Sequence, residues 1–104
     1  MIAQTPPPPY YAVIFSSVKH EETPGYEEMA ALMVQLAEQQ EGFLGIESAR
    51  ENIGITVSYW TSLEAIKAGK NQSLHLIAQQ FGKEDWYSLY KTRICLVERD
   101  YQST

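Results

Sequence analysis

The sequence predicts an α+β fold in which two helices cover one face of a four-stranded antiparallel sheet. Three observations carry the prediction. Leu44 and Ile46, then Ile53, Ile55, Val57 and Tyr59, alternate at the pitch of a strand across a short polar link. A stripe of apolar residues at three- and four-residue spacing precedes this pair, and a second helical stretch follows it. The resulting order, strand-helix-strand-strand-helix-strand, is that of the split ferredoxin-like βαββαβ unit.

Residues 1–10 read as a proline-rich leader and residues 11–104 as a single domain. Pro6 to Pro9 favour polyproline II and cannot donate to a sheet ladder, so a solvent-exposed tail that stiffens the entry to the first strand is expected. Tyr11 to Val18 is apolar on both faces over its first half, as suits a central strand. Lys19 to Thr23 is a loop, and Thr23-Pro24 places an N-cap and a proline at a helix start, with Glu27 and Glu28 in the first turns where the helix dipole favours acids. Tyr26, Met29, Ala30, Leu32, Met33, Leu36 and Ala37 form the buried stripe, and Gly42 is expected to close the helix.

The polar link Arg50-Glu51-Asn52 makes the two following strands antiparallel neighbours. Thr61-Ser62 then caps a helix from Leu63 to about Lys70, which Asn71-Gln72-Ser73 is expected to interrupt or bend. A second piece, Leu74 to Phe81, carries Leu74, Ile77, Ala78 and Phe81 on one stripe and ends at Gly82. The last strand spans about Tyr87 to Tyr101. Its apolar parity changes near Thr92, which points to a bulge or to two halves buried differently.

Composition narrows the function classes. The net charge is −5, from thirteen acidic and eight basic side chains without a basic run, so nucleic acid and anionic membranes are not expected partners. Cys95 is the sole cysteine, which excludes an internal disulfide, and its apolar neighbours Ile94 and Leu96 predict a buried, inert thiol. No stretch is long enough to span a membrane and no basic, then apolar, start is present, so a cytoplasmic location is expected. Strands that are apolar on both faces give a chain of this size a motive to pair with itself as a homodimer.

His75 is the leading acid-base candidate, because an imidazole titrates near neutrality and this one stands in an apolar helical context beside Leu74 and Ala78; a packed boundary histidine is the competing reading. His20 lies in a polar loop. The two histidines are not at a ligand spacing and there is no glycine-rich phosphate loop, so neither a metal nor a cofactor is expected. Trp60, Trp86, Tyr87 and Tyr90, with Arg93 nearby, suit the walls of a site for a flat, largely apolar molecule bearing a phenol, enol or carboxylate. They suit a dimer contact equally well.

Gly42-Phe43-Leu44-Gly45, Tyr59-Trp60-x-Ser62-x-Glu64-Ala65-Ile66, His75-x-x-Ala78-Gln79 and Arg93-Ile94-Cys95-x-Val97-Glu98-Arg99-x-Tyr101 together resemble the antibiotic biosynthesis monooxygenase family, over nearly the whole chain after the leader. The resemblance implies a dimeric α+β barrel of two ferredoxin-like units, with a pocket between each sheet and its helices. It also implies divergent activities: cofactor-free oxidation of polycyclic phenols to quinones, heme degradation, or action on small signalling molecules. The heme-degrading pattern wants an asparagine on the first strand, a tryptophan where this chain has Gly69, and a histidine where it has Gln79. The quinone-forming pattern places a tryptophan at Gly69 and a tyrosine at His75.

The leading expectation is therefore a cofactor-independent monooxygenase acting on an aromatic or enolisable substrate. His75 would take the proton, Trp60, Trp86 and Tyr90 would hold the ring, and Arg93 would stabilise an anion. A non-catalytic dimeric small-molecule binding protein, and a heme-binding or heme-degrading protein, are the alternatives. Gly69 poses a packing question, since either the pocket is enlarged there or Trp60 or Trp86 fills the space.

Overall fold

The structure, a computed structural model, describes residues 1–82 and 85–103. Its elements are β1 (Tyr10–Lys19), α1 (Tyr26–Glu38), β2 (Phe43–Arg50), β3 (Gly54–Trp60), α2 (Leu63–Phe81) and β4 (Tyr87–Val97). All strand pairs are antiparallel, in the order β2-β3-β1-β4. The expected four-stranded ferredoxin-like arrangement is thus formed, with β1 central and β2 and β4 at the edges.

Register defines two faces, because directly paired residues point the same way. One face carries Tyr11, Val13, Phe15 and Ser17 of β1, aligned with Trp60, Ser58, Thr56 and Gly54 of β3 and with Leu96, Ile94, Thr92 and Tyr90 of β4. The helices lie on this face: Gly69 of α2 abuts Trp60, and α1 and α2 pack on each other, α1 on β2 and α2 on β3. The opposite, open face carries Ala12, Ile14, Ser16, Val18, Ile55, Val57, Leu89, Arg93 and Cys95.

Several local expectations are corrected. Helix α1 starts at Tyr26, not at Pro24, because Gly25 adopts a left-handed conformation (φ 80°) that closes the Thr23-Pro24-Gly25 turn; Tyr26 N donates to Thr23 O, and no side chain caps the helix. Its regular turns end at Glu38, and Gly42, also at positive φ, instead turns the chain into β2. Helix α2 is unbroken across Asn71-Gln72-Ser73. Asn71 and Gln72 face solvent, and Ser73 falls on the buried stripe Ile66-Gly69-Ser73-Ile77, where a small residue lets the helix approach the sheet. Its ends follow expectation: Ser62 accepts from Ala65 N, and Gly82 caps the far end.

In β4 the register runs evenly through Thr92 and shifts only opposite Val18 and Lys19, and the strand ends at Val97 rather than Tyr101. Its mixed parity is that of an edge strand exposed on both faces. For the same reason Cys95 is exposed, not buried. The leader also departs from a free tail: Ala3 N donates to Glu47 Oε2 (3.0 Å), Ala3 sits against Gly45, and Thr5 Oγ1 donates to the Tyr10 hydroxyl (3.0 Å). These anchors draw the chain back over the open face beside β2, burying Tyr10, whose hydroxyl donates to Asp100 (2.6 Å).

Candidate functional site

The helix-covered face closes at one end and stays open at the other. At the closed end Trp60 is buried, edge-on to Phe43 (5.5 Å between centroids), with its indole N–H donated to Ser58 Oγ. A β-carbon added to Gly69 would lie 2.9 Å from Trp60 Cη2, so the indole occupies the space that a side chain at 69 would need. That answers the packing question: Trp60 fills the volume, and Gly69 is the complement of its ring. Trp86 is buried elsewhere, with Met29, Ile77 and Phe81, donating its indole N–H to Pro24 O (3.0 Å). Both tryptophans are core residues.

The opposite end is polar. Arg50, Gly54, Ser17 and Tyr90 are partnered in register, one from each strand across the sheet. With only hydrogen and a hydroxymethyl at the centre of this row, a trough forms between Arg50 and Tyr90, and the Arg50 side chain lies in it. Its guanidinium stands where a β-carbon on Gly54 would be. It donates to Ser17 O (3.3 Å), to the buried Ser17 hydroxyl and to the Tyr26 hydroxyl (3.3 Å). Tyr87 also donates to the Tyr26 hydroxyl (3.4 Å), and burial, then that contact, pushes the Tyr87 phenol well above its ordinary range, holding it neutral. Lys19 Nζ rests 4.4 Å from the Tyr26 ring centre, from which the Arg50 guanidinium is 5.6 Å.

An aromatic bed runs outward from this cluster. Phe15 lies 5.3 Å from Tyr87 and 5.6 Å from Tyr90, and Tyr26 packs edge-on against Tyr87. The helices cover Tyr87 at the start of β4 but settle mainly over β2 and β3, so farther along β4 Tyr90, Ile94 and Leu96 are all more than half exposed.

The structure disperses most of the residues singled out from the sequence. Trp60 pairs with Tyr11 and Tyr90 with Ser17, six residues apart along β1 and so about 20 Å. Arg93 pairs with Ile14 on the open face. His75 is exposed and lies half a helical turn round from Ser73 and Ile77, on the side of α2 facing away from the sheet. Of the residues singled out, Tyr87 and Tyr90 join the aromatic bed. His20 Nε2 lies 3.4 Å from Asp85 Oδ2, the one such contact between a basic side chain and a carboxylate among the described residues. Among those residues no group of three or more histidine, cysteine or carboxylate side chains comes together. Gln79, at the position resembling a heme ligand, is an exposed amide, which does not fit an axial ligand to heme iron.

Arg50 and Tyr26, which line this candidate site, were not singled out from the sequence. Arg50 reads as the start of a polar turn and Tyr26 as one member of a helix stripe; a glycine and a serine spaced to lie beside an arginine across three strands become visible only once register is known.

The family model described as antibiotic biosynthesis monooxygenase matches residues 9–80. The chain belongs to this family. The uncharacterized protein YqjZ of Bacillus subtilis is 51% identical over 100 residues, spanning 94% of this chain and 88% of its own length. Among solved structures, a variant of MhuD with two manganese protoporphyrin IX molecules bound per active site is similar at a TM-score of 0.73 and 20% identity, over 89% of this chain and 99% of that one. SnoaB, a cofactor-independent oxygenase from Streptomyces nogalater, is similar at 0.64 and 16%, over 91% of this chain and 97% of its own. At these identities the two structures establish the shared fold.

Proposed function

We propose that this family member binds an electron-rich aromatic or enolisable small molecule on the aromatic bed and oxidises it with dioxygen without a cofactor. The carrying observation is the aromatic run Phe15-Tyr87-Tyr90, half-buried at Phe15 and Tyr87 and exposed at Tyr90, which ends on the hydroxyls and guanidinium of Tyr26, Tyr87 and Arg50. For an anthrone-like substrate the ring methylene loses a proton to water. The carbanion passes an electron to dioxygen, the two radicals combine, and the protonated peroxide sheds water. One oxygen atom becomes the new carbonyl and the other leaves as water with the substrate's two hydrogens. The protein's share is to hold the ring, exclude water from one face of it and stabilise negative charge as it develops on the substrate oxygen.

His75, turned outward, is given no part in the proton step. Oxygen uptake with anthrones and hydroquinones tests the reading: turnover above the spontaneous rate is expected, and replacing His75 with alanine should leave that rate unchanged. A collapse of the rate in that variant would restore the base role to His75. The absence of any protein-dependent uptake would reject oxidation.

A non-catalytic binding role is favoured by one observation: Ser17, Tyr26, Tyr87 and Arg50 include neither a carboxylate nor an imidazole, the usual general bases. Saturable binding without product would select it. We also propose that the open face is covered by a second copy. Ile55 and Leu89 are exposed there beside Ile14, Val18 and Cys95, a surface poorly suited to water. A monomer in sedimentation at tens of micromolar would contradict this.

A further inference from the structure

We infer that Arg50 and Tyr26 form a binding site for an anionic oxygen, so that the ligand of the aromatic bed is an aromatic carboxylate, phenolate or enolate. This rests on the bed being the ligand surface, as proposed above, and not on any oxidation there.

Two features converge on one point. The Arg50 guanidinium is half-buried in the Gly54-Ser17 trough, and all three of its hydrogen bonds go to neutral oxygens. Among the described residues no carboxylate comes within ion-pair distance of it. Withdrawing a cation from water without a counterion is costly, and a neutral donor would satisfy Ser17 equally well. The guanidinium therefore keeps its charge available to an arriving anion. Lys19 is differently placed, since it shares a surface hollow with Glu27 and Glu28.

Tyr26 supplies the second feature. Its hydroxyl oxygen accepts from both Arg50 and Tyr87, and its own proton is donated to no described residue. Two donors drawing on one phenolic oxygen make its remaining O–H a stronger donor. That O–H lies where the bed meets the guanidinium, with Tyr87 kept neutral as a fixed donor behind it. An aromatic ring on Phe15 and Tyr90 with an anionic oxygen at its edge would meet both groups. A neutral ring would leave the charge unanswered.

The test compares 2-naphthoate with 2-naphthamide, an uncharged analogue of matched shape, by calorimetric titration at pH 7.5 on the full chain. The naphthoate is expected to bind at least about tenfold more tightly, the scale of one charge-assisted hydrogen bond. Arg50→Gln should abolish the preference while leaving naphthamide binding in place, and Tyr26→Phe should reduce it. Should Arg50→Gln fail to fold, Tyr26→Phe, which keeps the ring in its packing, decides the matter. Equal binding of the two probes to the native chain overturns the inference, as does a preference that survives Arg50→Gln or that Tyr26→Phe leaves undiminished. Anion preference without oxygen uptake would reject only the oxidation, and uptake on neutral anthrones without anion preference would reject only this site.

Discussion

The two ends of the helix-covered sheet face are built on the same device and put it to different use. At each end a glycine gives up its side-chain space to a neighbour. Gly69 yields to the Trp60 indole, and Gly54 yields to the Arg50 guanidinium. The indole is buried, satisfied by Ser58 and packed on Phe43, so that end is a plug. The guanidinium is held by neutral oxygens alone and borders a partly exposed aromatic surface, so that end is a receptor. A space filled by an apolar ring contributes stability and nothing further; the same space filled by an unanswered charge leaves an interaction for a ligand to complete.

The sharpest way to break this contrast is at the plug. Trp60→Ala should cost about 3–5 kcal/mol in chemical denaturation, the range for removing a large buried aromatic, yet leave the relative affinity for naphthoate and naphthamide unaltered. A loss of anion preference would show that the two ends are not separable. Gly69→Ala should cost about 1–3 kcal/mol, because its methyl would lie 2.9 Å from Trp60 Cη2 and the ring must shift. Unchanged stability would mean the indole has room to spare.

Gly54→Ala reverses the balance at the other end. Its methyl displaces the guanidinium from the trough, so stability should fall by only about 1 kcal/mol, the net worth of the hydrogen bonds to Ser17, while anion preference is lost. An anion preference that survives Gly54→Ala would detach the trough from the receptor.

The smallest effect lies on the open face. The hydrogen bond from Tyr59, then that from Ala3 N, depress the Glu47 carboxyl below its usual range. A carboxylate whose folded pKa lies below its unfolded value of about 4.3 contributes stability that is present above that value and lost as pH falls through the folded one. The leader should therefore loosen below about pH 4, seen as faster exchange of the Ala3 amide, and Glu47→Gln should flatten the acid limb of stability. Superimposable acid limbs for the two proteins would deny Glu47 this role.

The contrast also marks where the sequence was legible. Period-two runs and the two amphipathic stripes are local signals of burial, and they recovered the element order, the central place of β1, and the Ser62 and Gly82 ends of α2. Helix starts were less legible, since Thr23-Pro24 is a favourable opening that Gly25 overrides by taking a positive φ. Cys95 and the parity of β4 misled because apolar composition normally implies burial, whereas an edge strand facing an open surface needs a cover from outside the chain. The site residues were least legible. His75, Trp60, Trp86 and Arg93 have suggestive chemistry, but helical phase, strand register and sheet face send them to four different places.

By itself, then, the sequence determined which segments become strands and helices, in what order, and that they fold as an antibiotic biosynthesis monooxygenase domain. Tertiary structure alone decided that Trp60 fills the space at Gly69, that the leader turns back to Glu47, and that Arg50 crosses Gly54 to reach Ser17 and Tyr26. The physical reason is range. Propensity and periodicity are properties of neighbours along the chain, whereas the meeting of Arg50 with Ser17 joins residues 33 positions apart and depends on three strands holding one register.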